Sequence, residues 1–391
     1  MRPWCSVRRR AVAVLAGLSL AAFATAGSQA DDKKPHYPKP PSGEHAKIIP
    51  DAWKTAPTAP ATAAEIDRLL AASQRAEKIT PSPLTTDEQF IRRAMLDLTG
   101  RLPLPADVEE FVASKATNKR SQLIDKLLDS EAFCKHWGKY WHDVIVSRAT
   151  DGRIKRGGLT RSFETWLADQ VRVRRNWGEI ATAMMTASGQ VKYNGEGNNE
   201  TAASVYLLCH SGAEAAVERA AETSRVFLGI QIQCAQCHDH PSDMWKRNQF
   251  HELTAFYSRV SDRLVRDTSA PAGQIRFLGV ELVSRPRGEH QMPGQDDPKK
   301  ITLTHPRFLT GETIARGSSD ETRRKALADF VTSKENYWFS AAFANRVWGE
   351  LMGQGFYQPV DNMGPLQQAT YPEVLLSLAA HFRNSHYDIR D

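Results

Sequence analysis

Five residues place the narrowest geometric condition on this chain: Cys234-Ala235-Gln236-Cys237-His238. Two cysteines three positions apart, with a histidine directly after the second, form the attachment pattern for a c-type haem. Both thiols must reach vinyl groups of one porphyrin, so they must lie about one helical turn apart. The next side chain then sits under the iron and offers an imidazole nitrogen as proximal ligand. The same residue types also suit a zinc site, a disulfide or a redox dithiol. Compartment separates these readings.

Residues 1–26 read as a secretory signal peptide. A basic region ends at Arg10, an apolar run covers Ala11 to Ala24, and Ala24-Thr25-Ala26 offers a cleavage site. The run is too short to be read as a transmembrane span, and no other long apolar segment occurs, so no integral membrane span is expected after cleavage. Losing Arg2, Arg8, Arg9 and Arg10 with the signal lowers the formal charge from +6 to about +2, which removes any case for nucleic acid as a partner. The mature chain is expected to be exported, periplasmic or at the cell surface. An oxidising compartment disfavours a cytosolic-type dithiol, permits a disulfide, and is where bacterial c-type haem is attached. Cys134, Cys209, Cys234 and Cys237 remain in the mature chain.

The chain of 391 residues is 41% hydrophobic and 25% charged, an ordinary globular balance with room for two domains. Residues 27–60 are rich in Pro, Lys, Ala and Thr and read as a flexible linker. From there the periodicity is helical, so the fold class is mainly α. Thr85-Thr86-Asp87-Glu88 resembles a capping box. Ser130 marks the start of a helix over Glu131 to Ser147, whose aromatic stripe (Trp137, Tyr140, Trp141) reads as core. A stripe from Ala213 to Leu228 delivers Cys234 at or just past a helix end, and Trp245 to Val260 reads as the next helix. Gly195 and Gly197 do not complete a nucleotide loop, because Glu200 takes the third glycine position. Residues 263–312 change texture: Gln274 to Val283 is the best strand, followed by a long loop punctuated by Pro286, Pro293, Pro298 and Pro306. Helices return from 313 to 391.

Taken together, Ile91-Arg92-Arg93-Ala94-Met95-Leu96-Asp97-Leu98-Thr99-Gly100, His136-Trp137, Tyr140-Trp141 and Phe227 through Pro241 resemble the planctomycete cytochrome-c-like family, domain of unknown function 1549. Arg323 to Asp329, Ala344-Asn345-Arg346-Val347-Trp348 and Pro359-Val360-Asp361-Asn362 resemble its partner family, 1553. The resemblance implies a cytochrome-c-like helical domain over 61–262, a β/loop connector over 263–312 and a truncated second helical domain over 313–391. It implies an exported protein with a presumed c-type haem and no settled activity. One departure is Asn336-Tyr337, where the partner family has Asn-Pro.

On the haem reading, Cys234 and Cys237 carry thioethers, His238 binds iron, and the chain is an electron carrier with an unidentified redox partner. Met292 is the candidate distal ligand, by its separation from the cysteines, with Met244, His210, His251 and His290 as rivals. The alternative is a scaffold whose cysteines form a disulfide or hold zinc with His240 or His238 and a fourth group such as Cys209. A hydrolase built on His238, Asp239, His240 and Asp243 ranks third, since no spacing names a substrate.

Overall fold

Side-chain caps set the helix ends in the computed structural model, which describes residues 48–146, 151–156, 158–193 and 201–391. Thr86 accepts from the Gln89 amide while the Gln89 side chain accepts from the Thr86 amide, one residue along from the expected box. That reciprocal pair opens the helix Asp87–Thr99, and Gly100, at φ 66°, ends it. Ser130 accepts from the Phe133 amide at 3.1 Å and starts Glu131–Val146. Ser319 does the same for Asp320–Val331. Fifteen α-helices among the described residues make the chain mainly α, as expected.

The aromatic stripe of Glu131–Val146 is core. Trp141 packs on Trp177 with ring centroids 4.1 Å apart and stacks on Phe343 at 5.6 Å. Phe343 in turn stacks on Phe382 at 4.0 Å, which brings the helices Tyr337–Met352 and Pro372–Asn384 into the same core. Each such pair adds about 1 kcal/mol beyond the area it buries. One continuous apolar cluster therefore runs through both 61–262 and 313–391. The linker reading of 27–60 needs correction at its far end. Ile48, Trp53 and Ala56 are buried, the Trp338 indole donates to the Ile48 carbonyl, and the Trp53 indole donates to the Lys334 carbonyl. Residues 1–26, read above as a signal peptide, and residues 27–47 lie outside the described residues, as do Gly195 and Gly197.

The sheet is larger than expected. Strands β1 (Gly189–Lys192), β2 (Val260–Arg266) and β3 (Phe277–Ser284) pair antiparallel in the order β1-β3-β2, with buried Val280 facing both Val191 and Leu264. The expected helix Trp245 to Val260 is shorter. It covers Arg247–Thr254, tightens into a 3-10 turn at Ala255–Tyr257, and gives way to β2 at Val260. The proline-punctuated loop also contains a hairpin, β4 (His290–Pro293) with β5 (Ile301–Thr304). Pro293 sits at the last position of β4, where a missing donor is tolerated.

Candidate haem-attachment site

The helix Ala215–Thr223 widens into a π-type turn at Ser224–Leu228 and stops at Gly229, φ 69°. A Cβ at 229 would lie 2.4 Å from the Met363 sulfur, and the Met363 amide donates to the Gly229 carbonyl at 2.8 Å. Only glycine fits that contact at that φ. Beyond it the chain enters a separate 3-10 turn, Ile232–Gln236, so Cys234 belongs to its own turn and not to the preceding helix. Ile232 and Ala235 are fully buried, whereas Cys234, Cys237 and His238 are exposed. Two apolar anchors beneath the turn thus hold both thiols at the surface.

His238 Nδ1 lies 2.7 Å from the Asp239 carbonyl oxygen. A carbonyl can only accept, so Nδ1 carries a proton, and in the neutral ring Nε2 keeps its lone pair. Metal-bound histidines are oriented by this same kind of contact. The Asp239 carboxylate accepts from the Arg247 amide and the Lys246 ammonium, both at 3.0 Å, and these two hydrogen bonds hold its pKa below the usual range. It thereby ties the His238 loop to the start of Arg247–Thr254. His240 closes the loop: its amide donates to the Trp245 carbonyl, and its Nδ1 accepts from the Ser242 amide. Asp243 accepts from the Met244 amide at 2.6 Å and packs so closely on Gly364 that a Cβ there would meet its Oδ2 at 1.9 Å. His240 and Asp243 are braces of the loop in this arrangement.

A cleft of about 670 Å³ opens beside Cys237, within the range of small-molecule and cofactor sites. Its walls include Val217, Gln236, Arg247, His251, Glu289 and His290. A smaller one, about 390 Å³, adjoins Cys234 and holds His210, Glu222 and Arg225. In the larger cleft His251 Nε2 stands 3.0 Å from the Gln236 carbonyl oxygen, and His251 Nδ1 stands 2.7 Å from His290 Nε2. The two rings lie within 19° of parallel, edge to edge, with centroids 5.0 Å apart. Burial lowers both imidazoles, His251 to about 4 with Arg247 adding to the effect and the carbonyl opposing it, and His290 to about 3 with His251 adding. His210 also drops to about 4, through burial and then the charges of Arg219 and Arg225.

Behind the cleft, Glu289 accepts from Arg259 at 2.7 Å and from Arg323 at 2.7 and 2.8 Å. Arg323 is fully buried. The residue before His290 is therefore clamped by two guanidinium groups, which fixes the start of β4.

Among the described residues no three His, Cys, Asp or Glu side chains converge as a metal set, and no disulfide joins the described cysteines. Cys209 lies in the core while Cys234 and Cys237 are exposed, so the zinc set of Cys234, Cys237, His240 or His238, and Cys209 is not assembled. Met292 is half-buried on β4, two residues beyond His290, and is not part of the cleft wall.

Comparison with known proteins agrees with the order of the sequence resemblance. The profile of PSCyt2, a protein of unknown function (DUF1549), matches residues 65–262, half of the chain. The chain belongs to the DUF1549 family. A second profile, PSD1, a protein of unknown function (DUF1553), matches residues 323–391 and covers only part of that domain. No curated protein and no solved structure matches the chain. In this DUF1549 chain the sequence reading singled out His251 and His290 separately but not their contact. They are 39 positions apart, and the strands of the hairpin that brings them together are only four residues long.

Proposed function

We propose that the chain is an exported c-type-haem-binding protein that carries electrons, with Cys234 and Cys237 as the attachment thiols and His238 as the proximal ligand. The observation that carries this reading is the orientation of His238. Its Nδ1 proton is committed to the Asp239 carbonyl, which leaves Nε2 free on an exposed side chain directly after Cys237, and both Cys237 and Cys234 are themselves exposed. Each thiol would add its S–H across one vinyl double bond, so no atom leaves and no oxidant is consumed. The bound group would supply one-electron exchange. The chain's own residues do the rest: Ile232 and Ala235 seat the turn, and Asp239 fixes the His238 loop against Arg247 and Lys246. The exposure of the turn leaves the site open to a partner.

The test is a pyridine haemochrome spectrum and a haem-stained denaturing gel of the full chain, expressed for export with a cytochrome c maturation system. Haem that stays with the denatured wild-type chain, and is lost from Cys234→Ala/Cys237→Ala, is expected. A colourless wild-type chain overturns the reading.

A further inference from the structure

The contact between His251 and His290 decides which side chain has a lone pair to offer the cleft. His251 Nε2 faces the Gln236 carbonyl and must carry a proton to donate. Its Nδ1 faces His290 Nε2 at 2.7 Å, and that pair shares a single proton. Placing it on His251 would create a cation in a ring only 2% exposed, in a cleft that Arg247 also lines. The proton therefore belongs to His290 Nε2, which donates to His251. In the neutral ring this leaves His290 Nδ1 as a bare lone pair. No hydrogen bond engages it, and it is not among the enclosed polar atoms.

The rivals lack that combination. His251 uses both ring nitrogens in hydrogen bonds. His210 Nε2 has no partner but is fully enclosed, and its ring lines the other cleft, beside Cys234. Met292 is absent from the wall that Cys237 and His290 share. Resting on the haem reading above, we infer that His290, through Nδ1, would be the second protein ligand to the iron beside His238, with His251 as the residue that fixes its ring. The hydrogen bond from His290 Nε2–H to His251 is then the counterpart of the one from His238 Nδ1–H to the Asp239 carbonyl. Two imidazole ligands in place of imidazole and thioether would give a lower potential than methionine ligation.

The experiment reads coordination by absorption and electron paramagnetic resonance of the full-length haem-loaded chain. Pyridine haemochrome and circular dichroism are recorded on every variant, so attachment and folding are scored separately. Wild type should show a low-spin bis-imidazole spectrum without the sulfur-to-iron charge-transfer band. His290→Ala should retain covalent haem, become high-spin, and return to low-spin with added imidazole. His290→Met should gain the sulfur band, and Met292→Leu should match wild type. Covalent haem whose spin state is unchanged in both His290 variants, or is altered in Met292→Leu, overturns the assignment of His290 while leaving the attachment site intact. Absence of covalent haem from wild type overturns both.

Discussion

Glu252 follows His251 on the helix that faces the cysteine turn, and its carboxylate is badly placed to be charged. The side chain is 12% exposed, Oε2 has no hydrogen-bond partner, and Arg307 Nε stands 3.9 Å away, too far for a hydrogen bond. Burial raises its pKa from 4.5 to about 7, with Arg307 opposing only in part. The folded chain therefore holds this proton more tightly than the unfolded chain does. Stability from this group is fullest below 4.5 and declines as pH climbs towards 7, because an ionised carboxylate is then left buried. The displacement from 4.5 to about 7, at about 1.4 kcal/mol per pH unit, corresponds to about 3 kcal/mol. Glu252→Gln keeps the shape and cannot ionise. Urea unfolding followed by tryptophan fluorescence should show variant and wild type equal near pH 4.5, with the variant ahead by about 3 kcal/mol at about pH 8. A difference that does not change with pH, or a wild type that is the more stable at about pH 8, refutes the reasoning.

Two further outcomes are expected. Arg219 is 1% exposed and donates to the carbonyls of Leu207, His210 and Val260, at 2.8, 2.8 and 3.1 Å. Arg219→Met strands three buried acceptors and should cost at least about 3 kcal/mol in chemical denaturation; an unchanged midpoint would mean the three bonds carry no net stability. At Gly279 a Cβ would meet the Val191 carbonyl at 2.1 Å. Gly279→Ala should therefore loosen β1 from β3 at a cost of about 1–3 kcal/mol, read as faster hydrogen exchange at Val191 and Tyr193. Unchanged exchange there would show that the sheet absorbs the methyl.

Helices were legible wherever a cap and an apolar period coincided. Ser130 marks a real end because its hydroxyl satisfies a backbone amide locally, within a turn. The Trp245 to Val260 segment misled because Phe250, Leu253, Phe256 and Tyr257 keep helical spacing through the 3-10 turn up to the strand. Nothing in that spacing marks Val260 as the start of β2. The linker misled for a different reason. Ile48 and Trp53 are among few large apolar residues in a Pro- and Ala-rich stretch, and their partners, the Trp338 indole for Ile48 and the Lys334 carbonyl and Tyr337 ring for Trp53, lie almost 300 positions away. The cysteine turn was legible as a pattern, since its residues are consecutive in the chain. Its geometry was not, because Gly229 and the buried Ala235 take their meaning from Met363 and the core beneath. Likewise, β4 alternates between half-buried and exposed positions but is only four residues long, too short for alternation alone to identify it.

Arg323 ties the two matched segments together. It lies at the first residue of the DUF1553 match and is fully buried. Its guanidinium donates to both oxygens of Glu289, to the Ala255 carbonyl and the Ser258 hydroxyl, and Nε donates to the Ser318 carbonyl. Glu289 precedes β4, while Ala255 and Ser258 follow the helix that carries His251. One side chain from the second segment thus fixes the spacing between the two elements whose histidines meet. A second cation, Arg259, shares Glu289 and also reaches the Ser318 and Gly288 carbonyls, so the positive charges are met by many acceptors. Removing the carboxylate would leave two buried guanidinium groups without their counter-charge, a cost of several kcal/mol. That cost keeps the hairpin from drifting. The wall opposite Cys237 is consequently set by the DUF1553 segment as much as by the DUF1549 segment that supplies the cysteines.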